Sequence, residues 1–342
     1  MGTRLPMLRW LVATVVLTAC CRAQTQAGPP EEGIYRVNVR LVMVDTQVLD
    51  KKAHQAIPSL KQNDFEVYED GVRQKITAFS QDQLPLSVLL LFDLTDSVRP
   101  VLKSLARGAL ESLNHLKPQD EVAVMAYAAK ADLIQDFTTD RSLAAVAIER
   151  ASRMESNEAA FFNEAIFQAG AQLERSAPSR RRVIIWLTDD VPNFPSDEIK
   201  ARYGRSLGKN RLHTEKEAIE ELYRTGTVVC TLLERSRISD DEFSYRLSTA
   251  GNTMLNNMLY PPGEVHKNAL VSGGDVVEAN TKHMQQQLAA LIDEIRMRYS
   301  IGYHPSTQKP KGKFCTIKVK LSGEARARLG DVTIEARQGY YR

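Results

Sequence analysis

The stretch Leu90-Leu91-Phe92-Asp93-Leu94-Thr95-Asp96-Ser97 decides the fold, because it joins an apolar strand to a carboxylate and two hydroxyls at alternate positions. Residues 86–92 are almost all apolar, which is typical of a strand buried on both faces of a parallel sheet. Asp93 falls where this strand ends and side chains first meet solvent. The pattern therefore predicts that Asp93, Thr95 and Ser97 line one loop.

A second stretch, residues 182–190, repeats the pattern as an apolar strand followed by Asp189 and Asp190. From Leu86 onward, strand-like and helix-like segments alternate, which favours a parallel sheet covered on both sides. In doubly wound sheets the carboxyl ends of neighbouring strands border the ligand crevice. The sequence thus predicts an α/β, doubly wound, mostly parallel sheet with the two acidic strand ends in one cleft.

Oxygen donors of this kind suit Mg²⁺, Ca²⁺ or Mn²⁺ better than a soft metal. The loop of Asp93, Thr95 and Ser97, together with the acidic end of the second strand, is therefore predicted to bind a hard cation. An alternative interpretation needs no cation, because a hydroxyl after a strand-ending carboxylate is also a common cap for the following helix.

With these residues, the chain resembles the von Willebrand factor A fold and its metal-ion-dependent adhesion site. The family pattern is Asp-x-Ser-x-Ser, a distant Thr and an Asp after the central strand, so the resemblance implies that Asp93, Thr95, Ser97 and Asp189 are the metal ligands. Ala160 stands where the family has its loop Thr, so one ligand is missing. Four nearby residues could compensate for the missing ligand. Ser156, Asn157 or Asn163 could replace its hydroxyl, and Asp190 could add negative charge.

The flanks resemble the von Willebrand A-related proteins of Acidobacteria. Residues 64–71 read DFEVYEDG, residues 299–305 fit YxxGYxP, and residues 337–341 fit RxGYY. The resemblance covers nearly the whole chain and implies an exported protein. It implies an architecture more firmly than a function.

The β-rich segments lie at both ends of the chain, and neither has enough strands for a stable sheet alone. We therefore expect them to form one small β-sandwich into which the A domain is inserted. The predicted boundaries are a signal peptide at 1–19, a tether at 20–33, an N-terminal β segment at 34–83, the A domain at 84–299 and a C-terminal β segment at 300–342.

The N-terminus has the pattern of an export signal. Arg4 and Arg9 precede an apolar stretch, residues 10–19, which is too short to span a membrane. Residues 17–20, Leu-Thr-Ala-Cys, resemble a bacterial lipobox, which predicts lipidation of Cys20 and a membrane-anchored protein of the cell envelope or periplasm. The alternative is cleavage after Ala23 and a soluble secreted product.

Composition excludes several classes of function. The 342 residues carry 45 basic and 42 acidic side chains, a net charge of +3 that gives no reason to expect nucleic-acid binding. No nucleophile elbow, His-Glu-x-x-His or phosphate-binding loop is present, so an enzyme is the weakest hypothesis.

Two other features have simple explanations. Cys230 and Cys315 are expected to be buried thiols, although an oxidising compartment would permit a disulfide. An acidic cluster in the N-terminal hairpin could suggest a metal site, but turn chemistry and an outward face account for it more simply. Its members are Asp64, Glu66, Glu69 and Asp70.

The leading hypothesis is a lipid-anchored module that binds a protein partner through a divalent cation, with an acidic side chain of the partner completing the coordination. The alternative is a structural or assembly lipoprotein whose A domain no longer binds metal, a possibility raised by Ala160.

Overall fold

The structure is a computed structural model that describes residues 41–53, 55–81, 83–95, 98–128, 130–154, 156, 160–189, 213–234, 265–279, 282–306 and 309–342. They belong to one compact unit, Val39–Arg342. The predicted signal peptide, the tether and the Cys20 lipidation site lie outside these residues.

The strands in chain order are β1 Val42–Asp50, β2 Phe65–Glu69, β3 Val72–Gln74, β4 Ile76–Gln81, β5 Leu86–Asp93, β6 Glu121–Tyr127, β7 Ala131–Thr138, β8 Arg181–Thr188, β9 Val228–Glu234, β10 Val276–Ala279, β11 Tyr299–Tyr303, β12 Phe314–Leu321, β13 Val332–Ala336 and β14 Gly339–Tyr341. The α-helices are α1 Arg99–Ser112, α2 Arg141–Ala151, α3 Phe162–Glu174, α4 Glu215–Thr225, α5 Val265–Ser272, α6 Met284–Met297 and α7 Gly323–Leu329. Short 3-10 helices cover Gln62–Asp64 and Leu113–His115.

The central sheet has six strands in the order β10-β9-β8-β5-β6-β7. All neighbours pair in parallel except β6 and β7, which pair antiparallel. One face packs on α1, α2 and α6, and the other packs on α3 and α4. The predicted doubly wound, mostly parallel sheet is therefore confirmed, with an antiparallel edge strand that the sequence analysis did not anticipate.

Local sequence explains why the helices begin and end where they do. Asp140 caps α2 by accepting from the backbone N–H of Ser142 at 2.8 Å. Thr214 and Glu217 form a capping box at the start of α4. Gly226 ends the same helix in the left-handed conformation, with a φ of 69°, which glycine adopts without steric cost.

Two four-stranded antiparallel sheets form the second part of the fold, in the orders β13-β1-β11-β4 and β14-β12-β2-β3. Each sheet combines strands from both ends of the chain. Their inner faces share one core that includes Val44, Phe65, Val67 and Ile301. This arrangement agrees with the prediction of an A domain inserted in a β-rich framework.

Arg181 links the two parts of the fold at the start of β8. Its guanidinium is buried and donates to the carboxylate of Asp45 at 2.8 Å and to the hydroxyl of Ser300 at 2.9 Å. The predicted boundary between residues 299 and 300 falls at the beginning of β11, where Tyr299 packs in the sandwich core.

Several local predictions need correction. The sequence analysis did not predict α5, which ends at Ser272, four residues before β10 begins at Val276. The expected N-terminal hairpin is formed by β2 and β3 around Asp70-Gly71, but the chain after β3 leaves this hairpin, and β4 pairs with β11. Glu69 faces inward and is fully buried, so the outward face predicted for the acidic cluster is wrong at this residue.

Cys230 and Cys315 are both buried free thiols. Among the described residues, no helix combines the length and the apolar character needed to cross a membrane.

Candidate functional site

Three neighbouring strands of the central sheet end at one place. The register of β5 with β6 sets Asp93 beside Tyr127, and the register of β5 with β8 pairs Phe92 with Leu187. Asp93 is therefore level with Thr188, the last residue of β8. The three side chains form a row across the carboxyl edge of the sheet, as parallel pairing requires.

Asp93 is the hydrogen-bond acceptor at the centre of this row. Its Oδ1 accepts from the backbone N–H of Thr95 at 3.0 Å and from the Thr95 hydroxyl at 2.7 Å. Its Oδ2 accepts from the hydroxyls of Tyr127 at 2.9 Å and Thr188 at 2.8 Å. A carboxylate has about four lone-pair sites, so these four donors use its full acceptor capacity.

Two aromatic side chains, Trp186 and Phe162, contact Tyr127 in this row. The indole N–H of Trp186 donates to the Tyr127 hydroxyl at 2.8 Å. The ring of Phe162 packs in a T-shaped arrangement against Tyr127 and against Trp186, with centroid distances of 5.9 and 5.1 Å. Because Phe162 begins α3, these contacts place the start of that helix beside the strand ends.

Burial dominates the electrostatics of the row. It raises the pKa of Asp93, although the hydrogen bonds from Thr95, Thr188 and Tyr127 favour the ionised form. Burial and the negative charge of Asp93 raise the pKa of Tyr127 well above its ordinary value. Tyr127 therefore remains a neutral phenol that can donate its proton to the carboxylate.

Of the predicted ligands, the structure brings Asp93 and Thr95 together. Asp189 follows Thr188 directly and is 2% exposed. Ser97 lies outside the described residues, as do two of the residues proposed for compensation, Asn157 and Asp190.

The region of the missing threonine is partly described. Ala160 is 4% exposed and packs among apolar side chains on one face of the sheet. Ser156 contributes a backbone carbonyl that accepts from Arg99 at 3.5 Å. Asn163 lies in the first turn of α3, and its buried Oδ1 has no hydrogen-bond partner within the described part of the chain.

The sequence analysis missed Tyr127, Thr188 and Trp186. The signal that could have identified Thr188 was its position beside Asp189 at the end of an apolar strand. Tyr127 could be identified only by aligning two neighbouring strands, so that the last residue of β6 stands beside Asp93 at the end of β5. Their roles depend on register, which a single strand does not specify.

The donor chemistry of the row fits a hard divalent cation. It offers carboxylate and hydroxyl oxygens without sulfur or imidazole. Asn163, whose Oδ1 has no hydrogen-bond partner in the described residues, directly follows Phe162, which packs against Tyr127. Thr95, Thr188 and Asp189 would hold such a cation, and Asp93 would orient the two hydroxyls from behind.

Comparison with known proteins identifies the domain that carries this site. Residues 88–191 match the family model of the von Willebrand factor type A domain. No curated protein has significant sequence similarity to this chain.

Solved structures with a similar fold include three bacterial proteins. BatB from Bacteroides thetaiotaomicron is 18% identical, with a TM-score of 0.37, and the match covers 61% of this chain and 99% of that one. A von Willebrand factor type A protein from Catenulispora acidiphila is 11% identical, with a TM-score of 0.40 and coverages of 83% and 75%. A single-residue mutant of the PilB minor pilin from Streptococcus sanguinis is 11% identical, with a TM-score of 0.43 and coverages of 63% and 62%.

The family match and the six-stranded sheet identify the central part of this chain as a von Willebrand factor type A domain.

Proposed function

We propose that this von Willebrand factor type A domain binds a protein partner through a divalent cation at the carboxyl edge of its sheet. Mg²⁺ is the leading candidate for this cation. The observation that supports the proposal is the convergence of the Thr95 and Thr188 hydroxyls on one buried carboxylate, Asp93, at 2.7 and 2.8 Å. The two hydroxyls come from different segments of the chain, so the fold and not a local turn brings them together.

Asp93 acts here through the hydroxyls that it holds. A hydroxyl that donates its hydrogen to a carboxylate still carries acceptor lone pairs, and the negative charge behind it makes that oxygen a better ligand. Asp93 thus orients Thr95 and Thr188, while Asp189 adds charge on the neighbouring strand end. When bound, the cation supplies a coordination position for an acidic side chain of the partner.

Export and anchoring form part of the same proposal. A lipid on Cys20 would hold the mature chain at the cell envelope and present the A domain to other proteins there. Replacing Cys20 by Ser should shift the protein from the membrane fraction to a soluble or unprocessed form. Unchanged fractionation, with no lipid mass on the mature N-terminus, would refute the anchor. We assign no enzymatic activity to the chain.

A second candidate function is a structural or assembly protein whose A domain binds no cation. Two observations favour it: Asp93 already accepts four hydrogen bonds from the chain itself, and Ala160 contributes only a methyl group. In this case the row is a closed network that ties three strand ends together.

Calorimetric titration of the full chain with Mg²⁺, Mn²⁺ and Ca²⁺ distinguishes the two functions. Binding below millimolar concentration that is lost in Asp93→Ala supports the cation-dependent module. Asp120→Ala is the matched control, because Asp120 is also buried but accepts from the backbone of Leu86 at 2.8 Å, at the opposite end of β5. This control should lose stability and retain cation binding.

The partner chemistry is tested with the same protein. A short glutamate-containing peptide should bind in Mn²⁺, and binding should disappear when a chelator is added. If no cation binds the wild-type chain, the second function stands. If a cation binds but the peptide does not, the partner is recognised through other chemistry than an acidic side chain.

A further inference from the structure

Three side chains that can bind a metal, two carboxylates and one thiol, meet at the turn of the β2–β3 hairpin, outside the A-domain site. A carboxylate oxygen of Glu69, a carboxylate oxygen of Asp70 and the sulfur of Cys315 lie within 4.8 Å of one another. Glu69 ends β2 and Cys315 lies in β12, which pairs with β2 in the same sheet. The proximity therefore results from the pairing of the two chain ends.

Glu69 is the unusual member of this group. It is completely buried, and its Oε2 accepts from the hydroxyls of Tyr303 at 2.7 Å and Tyr340 at 3.0 Å. Its Oε1 is also buried and has no hydrogen-bond partner in the described residues. A buried carboxylate oxygen without a hydrogen-bond partner is unfavourable, and a bound cation would remove this penalty.

Asp70 supplies the solvent-facing side of the group. Its Oδ1 accepts from the backbone N–H of Thr316 at 3.1 Å and from the Thr316 hydroxyl at 3.2 Å. Its Oδ2 pairs with the ammonium of Lys309 at 2.5 Å. The Lys309 side chain is about one-third exposed, so its ammonium places a positive charge at the solvent edge of the group. A lysine side chain has several rotatable bonds, which would allow this ammonium to move away when a cation binds.

Cys315 completes the group from the inside. It is a free thiol with no exposed surface, at an inward-facing position of β12. Its sulfur makes a weak contact with the backbone carbonyl of Lys313 at 4.0 Å. Sulfur distinguishes this group from the all-oxygen row at Asp93, because thiolates bind Zn²⁺ and similar metals in preference to Mg²⁺ or Ca²⁺.

We propose that Glu69, Asp70 and Cys315 form a second metal site, which binds a thiophilic divalent cation such as Zn²⁺. Three protein ligands with water at the fourth position satisfy the tetrahedral preference of this ion. On binding, the thiol of Cys315 gives its proton to the solvent and its sulfur bonds to the metal, while the ammonium of Lys309 leaves Asp70. The bound ion would fasten β12 to the β2–β3 turn, and so join the N- and C-terminal segments of the sandwich.

Co²⁺ is the probe for this site, because a thiolate bonded to Co²⁺ gives a charge-transfer absorption in the near ultraviolet. The full chain is used with Cys20→Ser and Cys21→Ser, so that only the two buried thiols remain. We expect this absorption in the parent protein and in Cys230→Ser, and its loss in Cys315→Ser. Cys230 is the matched control, since it is also a buried free thiol but lies in β9 of the A domain.

Two further variants keep the test independent of folding defects. Asp70→Asn preserves the turn, because Asn tolerates the positive φ of 49° found at this residue, and it should weaken Co²⁺ binding by about tenfold. Lys309→Gln removes the competing positive charge and should strengthen binding by about tenfold. A merely structural role for these residues would not produce opposite shifts in metal affinity.

The site and the A-domain proposal fail separately. Asp93→Ala should leave the charge-transfer absorption unchanged, and Cys315→Ser should leave Mg²⁺ binding unchanged. An absent absorption in the parent protein, or one that survives in Cys315→Ser, would overturn the proposal. So would loss of the absorption in Cys230→Ser with a normal thermal melt.

Discussion

Asp93 and Glu69 are both fully buried carboxylates, but their surroundings differ in one decisive respect. Asp93 accepts two hydrogen bonds on each oxygen, so all of its acceptor capacity is used by the chain. Glu69 accepts two hydrogen bonds on Oε2 and none on Oε1 from the described residues. One carboxylate is saturated, and the other has an oxygen available for a ligand.

This difference shows that a buried carboxylate can contribute to cation binding in two ways. A saturated carboxylate contributes charge and orients the hydroxyls around it, so the direct contacts are made by neutral oxygens. A half-satisfied carboxylate can bond to the metal itself. Counting the donors at each oxygen therefore separates an orienting residue from a direct ligand, which the residue type alone does not reveal.

The largest expected effect comes from replacing each carboxylate by its amide. In Asp93→Asn, either orientation of the amide turns an NH₂ group toward groups that are themselves donors, and we expect a loss of about 2–4 kcal/mol in the free energy of unfolding. In Glu69→Gln, the amide oxygen can keep both tyrosine bonds while the NH₂ group takes the place of Oε1, and we expect a loss of no more than about 1 kcal/mol. Denaturant unfolding of both variants measures the difference.

Equal losses from the two amide substitutions would show that the hydrogen-bond count at each oxygen does not govern these sites. A larger loss at Glu69 would reverse the comparison. Both variants should be measured with a chelator present, so that bound metal does not contribute to stability.

The next effect concerns the tyrosines that donate to each carboxylate. Tyr127→Phe removes a donor from Asp93 and also deprives the Trp186 indole N–H of its acceptor, so we expect a loss of about 2–3 kcal/mol. Tyr303→Phe removes one donor from Glu69, while Tyr340 still donates to the same oxygen, and we expect about 1 kcal/mol. Thermal or denaturant unfolding compares the pair, and a smaller loss for Tyr127→Phe would contradict the linked chain from Trp186 to Asp93.

Much of the fold could be predicted from the sequence because local patterns specify it. The apolar run before Asp93 predicted a strand buried on both faces, and every residue of β5 is buried. The alternation of strand-like and helix-like segments after Leu86 predicted the doubly wound sheet that the structure shows. Strand alternation at both chain ends predicted the sandwich, because neither end could form a sheet alone.

The rest depended on long-range pairing. Thr188 and Tyr127 belong to the Asp93 row only because β5, β6 and β8 align in register. Glu69 was assigned to an outward face because the turn at Asp70-Gly71 explained the acidic residues locally. Its inward orientation follows from the pairing of β2 with β12, almost 250 residues later in the chain. The metal-ligand assignments at Asp93, Thr95, Ser97 and Asp189 remain predictions.

Thr188 provides a smaller and more specific test of the saturated carboxylate. Thr188→Val keeps the shape of the side chain but removes the hydroxyl, so we expect cation affinity to fall by about tenfold and stability by about 1 kcal/mol. Thr188→Ser retains the hydroxyl and should bind cations almost as well as the parent protein. Calorimetry with Mn²⁺ measures the affinities. If the Val and Ser variants bind equally well, Thr188 is no ligand, and Asp93 does not act through its hydroxyl.

The smallest expected effect is a gain at Ala160. Ala160→Thr introduces the hydroxyl that the family pattern has at this position, and we expect Mn²⁺ affinity to rise by a few-fold, about the contribution of one neutral ligand. Ala160 is 4% exposed, so the larger side chain should also cost about 1–3 kcal/mol of stability through overpacking.

Ala160→Val is the matched control, because it has nearly the same volume and shape as Thr but carries no hydroxyl. Tighter cation binding in the Thr variant, with a similar stability loss in both, would show that the site lacks a ligand at this position. Equal cation binding in the two variants would mean that this position does not reach the cation, and the closed hydrogen-bond network around Asp93 would then be the better account of the site.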